Sequence, residues 1–407
     1  MDFTIVQKGI MTALKVVKGS KAFGKINPEK DPILKIDVKK TKVTISATTG
    51  VCWCSYSIPL TSFGDPESFT IESEGEILVD GFSFIEMIST YKEDGLIHFF
   101  LKEENKGSVL IAEWKSGKRK KTSSFLVNIS EIFEEIHIKD KMTSFNVSPR
   151  FLKESIEKVE FASSTEEETQ FLWCVRLEVF DTCDIAACAG DRKRISWFDP
   201  SVLDRKDDAK NIIFPTKDFI LPVIKSLDLS LKVEISYGDN YTVIKQESQE
   251  HVLPNVRVDQ EPLENWRIIT QDAMDRIKTK IKIKRKTLSN CIKASTISEF
   301  GRYGVLLQID TNEKEITFSE EGFDNQTHVK VSHKETEPLE DDEIEGDAFV
   351  GEMVIPLDSF RDIVNKCGGE HIVLFVFESN RPVVISGTGE KDPYCLCGTI
   401  PRIGTGQ

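Results

Sequence analysis

The sequence has no cysteine pair spaced as CxxC, no clustering of cysteine with histidine, and no apolar run longer than stretches such as IVLFVF. The first two absences argue against a zinc-ribbon or zinc-finger module. The third excludes a membrane-spanning helix, which needs roughly 20 apolar residues. The opening MDFTIVQKG lacks the basic start and apolar stretch of a secretion signal, so a soluble, cytoplasmic protein with no membrane partner is expected. Nine cysteines are an odd number, and Cys52 with Cys54 and Cys395 with Cys397 sit in strand-like segments, as reduced core thiols do. Six histidines are scattered without triad or metal spacing. No catalytic residue, metal or cofactor is therefore expected. GSKAFGKI at 19–26 matches a phosphate-loop pattern, but Ile26 stands where a magnesium-binding hydroxyl belongs, and the segment follows a helical pattern rather than a strand. Positive charge is also in deficit: 53 Lys and Arg face 67 Asp and Glu, a formal net charge of −14.

What is present is repetition. A chain of 407 residues with 39% hydrophobic residues and 25 Phe has material for two or three packed domains. Segments opening at Asp80, Pro215 and Pro356 align: each starts a short amphipathic helix anchored by Phe84, Phe219 or Phe360, and an alternating strand follows. Those phenylalanines are 135 and 141 residues apart. Segments from Gln7, Ser148 and Lys284 repeat at the same period as helices with apolar residues at i, i+3 or i+4, such as Leu152, Ile156 and Val159, each preceded by a strand. ILKIDVKKTKVTISATT, RLEVFDTCDIAACAG and VLLQIDTNEKEITFSEE alternate around polar turns as hairpins do. The expectation is an α+β fold of three tandem domains, 1–140, 141–258 and 259–407, each with two helices backed by antiparallel sheet. ENWRIITQDAMD at 264–275 reads as an extra helix at the start of the third.

The scarce positive charge is concentrated. Lys8, Lys15, Lys18, Lys21 and Lys25 lie in an acid-free stretch from Gln7 to Ile26, and Arg276 to Lys293 holds eight basic residues and no acid, opening with RIKTKIKIKRK. Arg150, Lys153 and Lys158 mark the middle helix, against Glu154 and Glu157. Acids collect elsewhere, with EEE at 166–168 and eight acids without a base from Glu335 to Asp347. A lysine on the polar side of one amphipathic helix is ordinarily a solvated face. Recurrence on equivalent helices of an acidic chain points instead to a polyanion such as duplex nucleic acid. No helix-turn-helix base reader and no aromatics interleaved with these helices are present, so contact with phosphates alone is expected.

Three such repeats with basic helices, together with MDFTIVQKGIMTALKVV, DPILKIDV at 31–38, AGDRKRIS at 189–196 and GTIPRI at 398–403, resemble the bacterial sliding clamp, the beta subunit of DNA polymerase III. The resemblance covers essentially the whole chain. It implies a head-to-tail homodimer closed into a ring of six domains around double-stranded DNA, with two helices per domain lining the hole. Candidate phosphate contacts are then Lys15, Lys18, Lys21, Lys25, Arg150, Lys153, Lys286 and Lys293 on or beside the first helices, and Lys217, Lys225 and Arg361 on or beside the second. RIKTKIKIKRK would feed the inner wall, and the dimer contact would lie around Phe125 and Val127, facing a helix near Ile292. The resemblance also implies a pocket that takes peptides from DNA polymerase and the clamp loader. Gly190, Asp191, Arg192, Lys193, Arg194 and Ile195 stand where the family has Thr-Asp-Gly-His-Arg-Leu, so Asp191, Arg194 and Ile195 agree in kind while Arg192 and Lys193 depart. Leu172, Pro254, Pro382, Ile400, Pro401 and Arg402 complete the carried-over pocket. For Leu172, Ile195 and Ile400, core packing is the competing reading.

Two alternatives stay open. One is a clamp-like scaffold without polymerase binding, raised by Arg192 and Lys193. The other is a metal-dependent DNA-processing enzyme using EDDEIEGD at 340–347, although that run has the composition of a solvated loop rather than of carboxylates fixed on rigid elements.

Overall fold

The computed structural model describes residues 1–24, 31–63, 68–104, 107–127, 133–164, 166, 172–180, 185–199, 210–215, 219–255, 263–297, 304–323, 329–330, 334–378, 381–389 and 391–399. Among them are seven α-helices: α1 (Gln7–Gly19), α2 (Gly81–Ser89), α3 (Pro149–Val159), α4 (Ile220–Ser226), α5 (Trp266–Asp275), α6 (Arg285–Ile297) and α7 (Leu357–Lys366). Antiparallel strands make up most of the rest, so the architecture is α+β. A strand followed directly by a helix recurs three times, as Asp2–Val6 with α1, Thr143–Val147 with α3 and Thr279–Lys284 with α6. A short helix followed by a strand recurs as α2, α4 and α7 before Leu96–Glu104, Val233–Tyr237 and His371–Val376. All three expected hairpins form, among them Ile33–Lys39 with Lys42–Thr48.

The chain forms two compact units, Met1–Lys153 with Lys217–Val256 and Glu154–Thr216 with Arg257–Gln407. The first contains a five-stranded sheet in the order Phe69–Ser73, Asp2–Val6, Leu96–Glu104, Gly107–Ser116, Arg119–Leu126. Its second sheet has eight strands, because Gln249–Pro254 pairs with Trp53–Pro59, setting His251 opposite Cys54. Helix α1 forms because Ile10, Ala13, Leu14 and Val17 make one apolar stripe, and all four are fully buried. Asp80 caps α2 by accepting from the Ser83 amide at 2.7 Å. Between helices and sheet, Phe3 stacks on Phe99 at 4.9 Å and Phe84 meets Phe125 edge-on at 5.0 Å.

That contact corrects one expectation. Phe125 is 7% exposed and belongs to this core, while its neighbour Leu126, on the opposite side of the same edge strand, is 74% exposed. A strand alternates faces, so the bulky aromatic goes in and Leu126 comes out. Val127 is partly buried against the same core, and Ile292 on α6 is buried as well.

The second unit contains a nine-stranded sheet in the order Lys210–Pro215, Cys174–Val179, Ile185–Gly190, Arg194–Phe198, Tyr394–Cys397, Val383–Gly387, His371–Val376, Thr279–Lys284, Ile344–Gly346. A further sheet is built on Gly304–Asp310, Glu315–Phe323 and Val350–Ile355. Helix α5 covers one face of the nine-stranded sheet: Trp266 is buried among Phe180, Trp197, Val373 and Phe375. Its indole donates to Glu178 at 2.8 Å, and Arg267 pairs with the same carboxylate at 2.6 Å and with Asp199 at 3.1 Å. The segment expected to be an extra helix is therefore the lid of a sheet face. Helix α7 packs on the other face, where the buried thiols of Cys395 and Cys397 approach each other at 3.7 Å.

Candidate nucleic-acid and peptide interfaces

In the first unit, burying the apolar stripe of α1 turns Lys8, Lys15 and Lys18 outward, and all three are exposed. Lys21 follows in the turn after the helix, with its ammonium 5.9 Å from the Phe219 ring. Lys225, in the last turn of α4, is also exposed. Helix α3 buries Leu152, Ile156 and Val159 and exposes Arg150, with Lys153 half-buried. In the second unit Lys286 and Lys293 are exposed on α6. Among the described residues no carboxylate lies within 4.0 Å of Lys15, Lys18, Arg150, Lys225, Lys286 or Lys293. Arg361 differs: it pairs along α7 with Asp358 at 2.8 Å and Asp362 at 3.8 Å. Lys25 and Lys217 lie outside the described residues.

The basic run RIKTKIKIKRK divides, which corrects the expectation that all of it serves one surface. Along the strand Thr279–Lys284, Ile281 and Ile283 are buried opposite Leu374 and Ile372. Lys280 and Lys282 stand opposite Phe375 and Val373, on the face that α5 covers. The helices α6 and α7 belong to the other face. Two of the three strand lysines, and the two basic residues just before the strand, are also occupied. Lys280 pairs with Glu345 at 2.8 Å, holding that carboxyl below its usual range through the hydrogen bond and the charge. Lys282 donates to the Asp342 carbonyl at 3.3 Å, Lys278 pairs with Glu378 at 3.7 Å, and Arg276 pairs with Asp272 at 2.9 Å. The acidic segment is correspondingly not a solvated loop. Asp341–Glu343 is a 3-10 turn closed by a capping box of Glu340 and Glu343, and Ile344–Gly346 is an edge strand on Thr279–Ile281.

The segment 190–195 is a tight turn between two strands of the nine-stranded sheet. Asp191 accepts from the amides of Lys193 and Arg194 at 2.7 and 2.8 Å. The Arg194 guanidinium, 9% exposed, reaches Asp191 at 3.3 Å, Asp362 at 3.0 Å and the Phe161 carbonyl at 2.9 Å, and lies 5.4 Å from the Phe161 ring. Burial works against its charge, but Asp191 and Asp362 outweigh that and raise its pKa. Asp191 and Arg194 thus lock the turn to α7 and to the 3-10 turn Glu160–Ala162. Ile195 remains half-buried. Gly190 sits so close to its surroundings that a Cβ would fall 2.9 Å from the Arg194 carbonyl and 3.3 Å from both Ile195 and the Leu263 methyl. Leu263, Phe161 and Asp362, none evident from the sequence, therefore shape this corner. Leu172 is buried, with its carbonyl accepting from Ser164, while Pro382 is exposed before the strand Val383–Gly387. Pro254 ends the strand Gln249–Pro254 of the first unit. Ile400, Pro401 and Arg402 lie outside the described residues.

No protein-family model matches the sequence, and no curated protein matches it. Solved structures do. DNA polymerase III subunit beta from Pseudomonas aeruginosa superposes with a TM-score of 0.78 at 16% identity, covering 98% of this chain and 100% of that one. The DNA polymerase III beta chain of Streptococcus pneumoniae gives 0.77 at 18% identity over 98% and 99%, and the DNA polymerase sliding clamp of Bacillus subtilis 0.76 at 19% over 99% and 100%. Over nearly its whole length, this chain has the fold of the bacterial DNA polymerase III beta subunits.

Proposed function

We propose that this protein is a processivity clamp rather than an enzyme. Two copies join head to tail into a ring around duplex DNA, and the ring tethers DNA polymerase and is placed by a clamp loader, both through short peptides. The reading divides each chain into three similar domains, 1–140, 141–258 and 259–407, so that a dimer supplies six. The edge strand Arg119–Leu126, with exposed Leu126, is its candidate dimer contact.

The observation that carries the reading is a contrast between two sets of lysines within a fold that matches clamps over 98% of the chain. Those on α1, α4 and α6 face solvent with no carboxylate near among the described residues, whereas Lys280 and Lys282 on the strand Thr279–Lys284 are engaged by a carboxylate and a carbonyl. An exposed ammonium without a partner is ready for a phosphate of any sequence, and such contacts act through counterion release rather than fixed geometry. They are shallow enough to be exchanged step by step, so a closed ring slides, and retention comes from topology. The acidic segment 340–347 offers an enzyme little, since Glu343 and Glu345 are engaged in a capping box and a lysine pair.

The test is retention on nicked circular DNA after loading. We expect the protein to stay on the circle and to be lost within seconds of linearising it; equal retention on both forms refutes encirclement. A second reading, a clamp-like ring without polymerase binding, is favoured by Arg192 and Lys193 and by the commitment of Asp191 and Arg194 to the turn itself. Failure of polymerase tail peptides to capture a protein that still encircles DNA would select it.

A further inference from the structure

We infer that the groove between α1 and the end of α2 is a subsite for the sugar–phosphate backbone of duplex DNA, with Lys8 and Lys92 as its phosphate-binding residues beside Lys15. The ligand named rests on the clamp reading; the groove does not. It encloses about 560 Å³ and is lined by Lys8, Thr12 and Lys15 on one side and Ser89, Lys92 and Glu93 on the other.

Its walls are tied together from below. Gln7, 3% exposed, donates from its side-chain amide to the carbonyls of Ile88 at 3.3 Å and Tyr91 at 3.2 Å, while its backbone amide donates to Gly95 at 2.9 Å. The Lys92 carbonyl accepts from the Trp114 indole at 3.2 Å and from the Gly95 amide at 3.1 Å. The groove is therefore set by the fold, and a ligand entering it pays no ordering cost for the backbone.

Three ammonium groups and one carboxylate line this concavity, and among the described residues no carboxylate lies within 4.0 Å of Lys8, Lys15 or Lys92. Elsewhere the chain, with its excess of acids, does supply partners, as at Lys35, which meets Glu76 at 3.0 Å and Glu135 at 2.6 Å. Like charges around one groove repel, and an anion with several oxygens relieves all three at once. The volume is generous for one small anion, which suits a backbone that passes through. Lys15 also belongs to the exposed face of α1, so the groove continues that surface.

The experiment measures affinity for a short blunt duplex at several salt concentrations, for the wild type and for a Lys8→Gln/Lys92→Gln variant. Each phosphate neutralised contributes about 0.9 to the slope of log affinity against log salt, so the variant slope should be shallower by about 0.9 to 1.8. A Lys278→Gln/Lys280→Gln variant, which alters lysines already paired with acids, should keep the wild-type slope. Lys8, Lys92 and Lys278 are exposed and Lys280 is half-buried, and unchanged melting of both variants confirms that the fold is intact. A groove variant with the wild-type slope overturns the subsite, even if the protein is retained on nicked circles and the clamp reading stands. Equal retention on circular and linear DNA sinks encirclement, while a shallower variant slope still upholds the subsite. Saturable binding of inorganic phosphate at constant ionic strength that duplex does not displace assigns the groove to a free anion and overturns the proposal.

Discussion

His251 should make the first unit sensitive to mild acid. The residue is 1% exposed in the strand Gln249–Pro254, opposite Cys54, whose thiol burial pushes up to about 12 and so keeps neutral. The His251 Nε2 lies 3.3 Å from the Gln249 side-chain oxygen, and among the described residues no charged group pairs with the ring to hold a cation. Burial alone lowers the imidazole pKa from 6.5 to about 4. The sign follows. Between these values the unfolded chain takes up a proton that the folded chain refuses, so the stabilisation is complete above pH 6.5, declines as pH falls, and is gone at about 4. At about 1.4 kcal/mol per pH unit the total is about 3 kcal/mol. Hydrogen exchange of the strands Trp53–Pro59 and Gln249–Pro254, corrected for the intrinsic pH dependence of exchange, reads this locally. Carboxylates titrate over the same range, so the informative quantity is the difference between the wild type and His251→Leu. We expect that difference to change by about 3 kcal/mol between pH 6.5 and pH 4. Parallel curves for the two proteins would refute a neutral, buried imidazole.

Two further perturbations probe the second unit. Arg194→Lys keeps a charge but loses the planar fork that serves Asp191, Asp362 and the Phe161 carbonyl together, and should cost about 2 to 4 kcal/mol in urea unfolding; a loss below about 0.5 kcal/mol would show the turn is not held this way. Trp266→Ala removes the main anchor of α5 and leaves Glu178 with Arg267 alone, so about 3 to 5 kcal/mol should be lost, together with protection of the α5 amides from exchange; unaltered protection would refute the view of α5 as a lid.

Local periodicity made much of the architecture legible. The stripe Ile10, Ala13, Leu14 and Val17, the alternation in ILKIDVKKTKVTISATT and the Asp80 cap each specify an element from neighbours a few residues away. Long-range pairing left no such trace. Nothing in QEHVLP says that it will pair with WCSYSIP almost two hundred residues earlier, or that RISWF will pair with YCLC, yet those two contacts create the eight- and nine-stranded sheets. At the turn 190–195 the sequence supplied residue types and not geometry: Asp362 and Phe161, the partners of Arg194, come from distant segments. The dimer contact that the resemblance implies around Phe125 carries no information on which way that ring points; strand alternation and Phe84 send it inward.

The division of RIKTKIKIKRK shows how an acidic chain can keep one surface positive. A basic stretch that runs from strand into helix meets two geometries at once. The strand alternates, so its lysines all project from one face of the sheet, where the edge strand Ile344–Gly346 and the turn before it bring acids in register; Lys280 opposite Glu345 is the clearest pair. The helix that follows turns Lys286 and Lys293 away from the sheet, beyond the reach of those acids. Counting charges along the sequence therefore overstates the basic surface near residue 280 and misses Lys92, which joins Lys8 and Lys15 only through the fold. If phosphate binding follows exposed, unpartnered lysines, charge removed at Lys286 or Lys293 must flatten the salt dependence of DNA affinity, while the same change at Lys280 must leave it as it was. Equal effects at the two positions would mean that ion pairing within the sheet does not govern which lysines DNA meets.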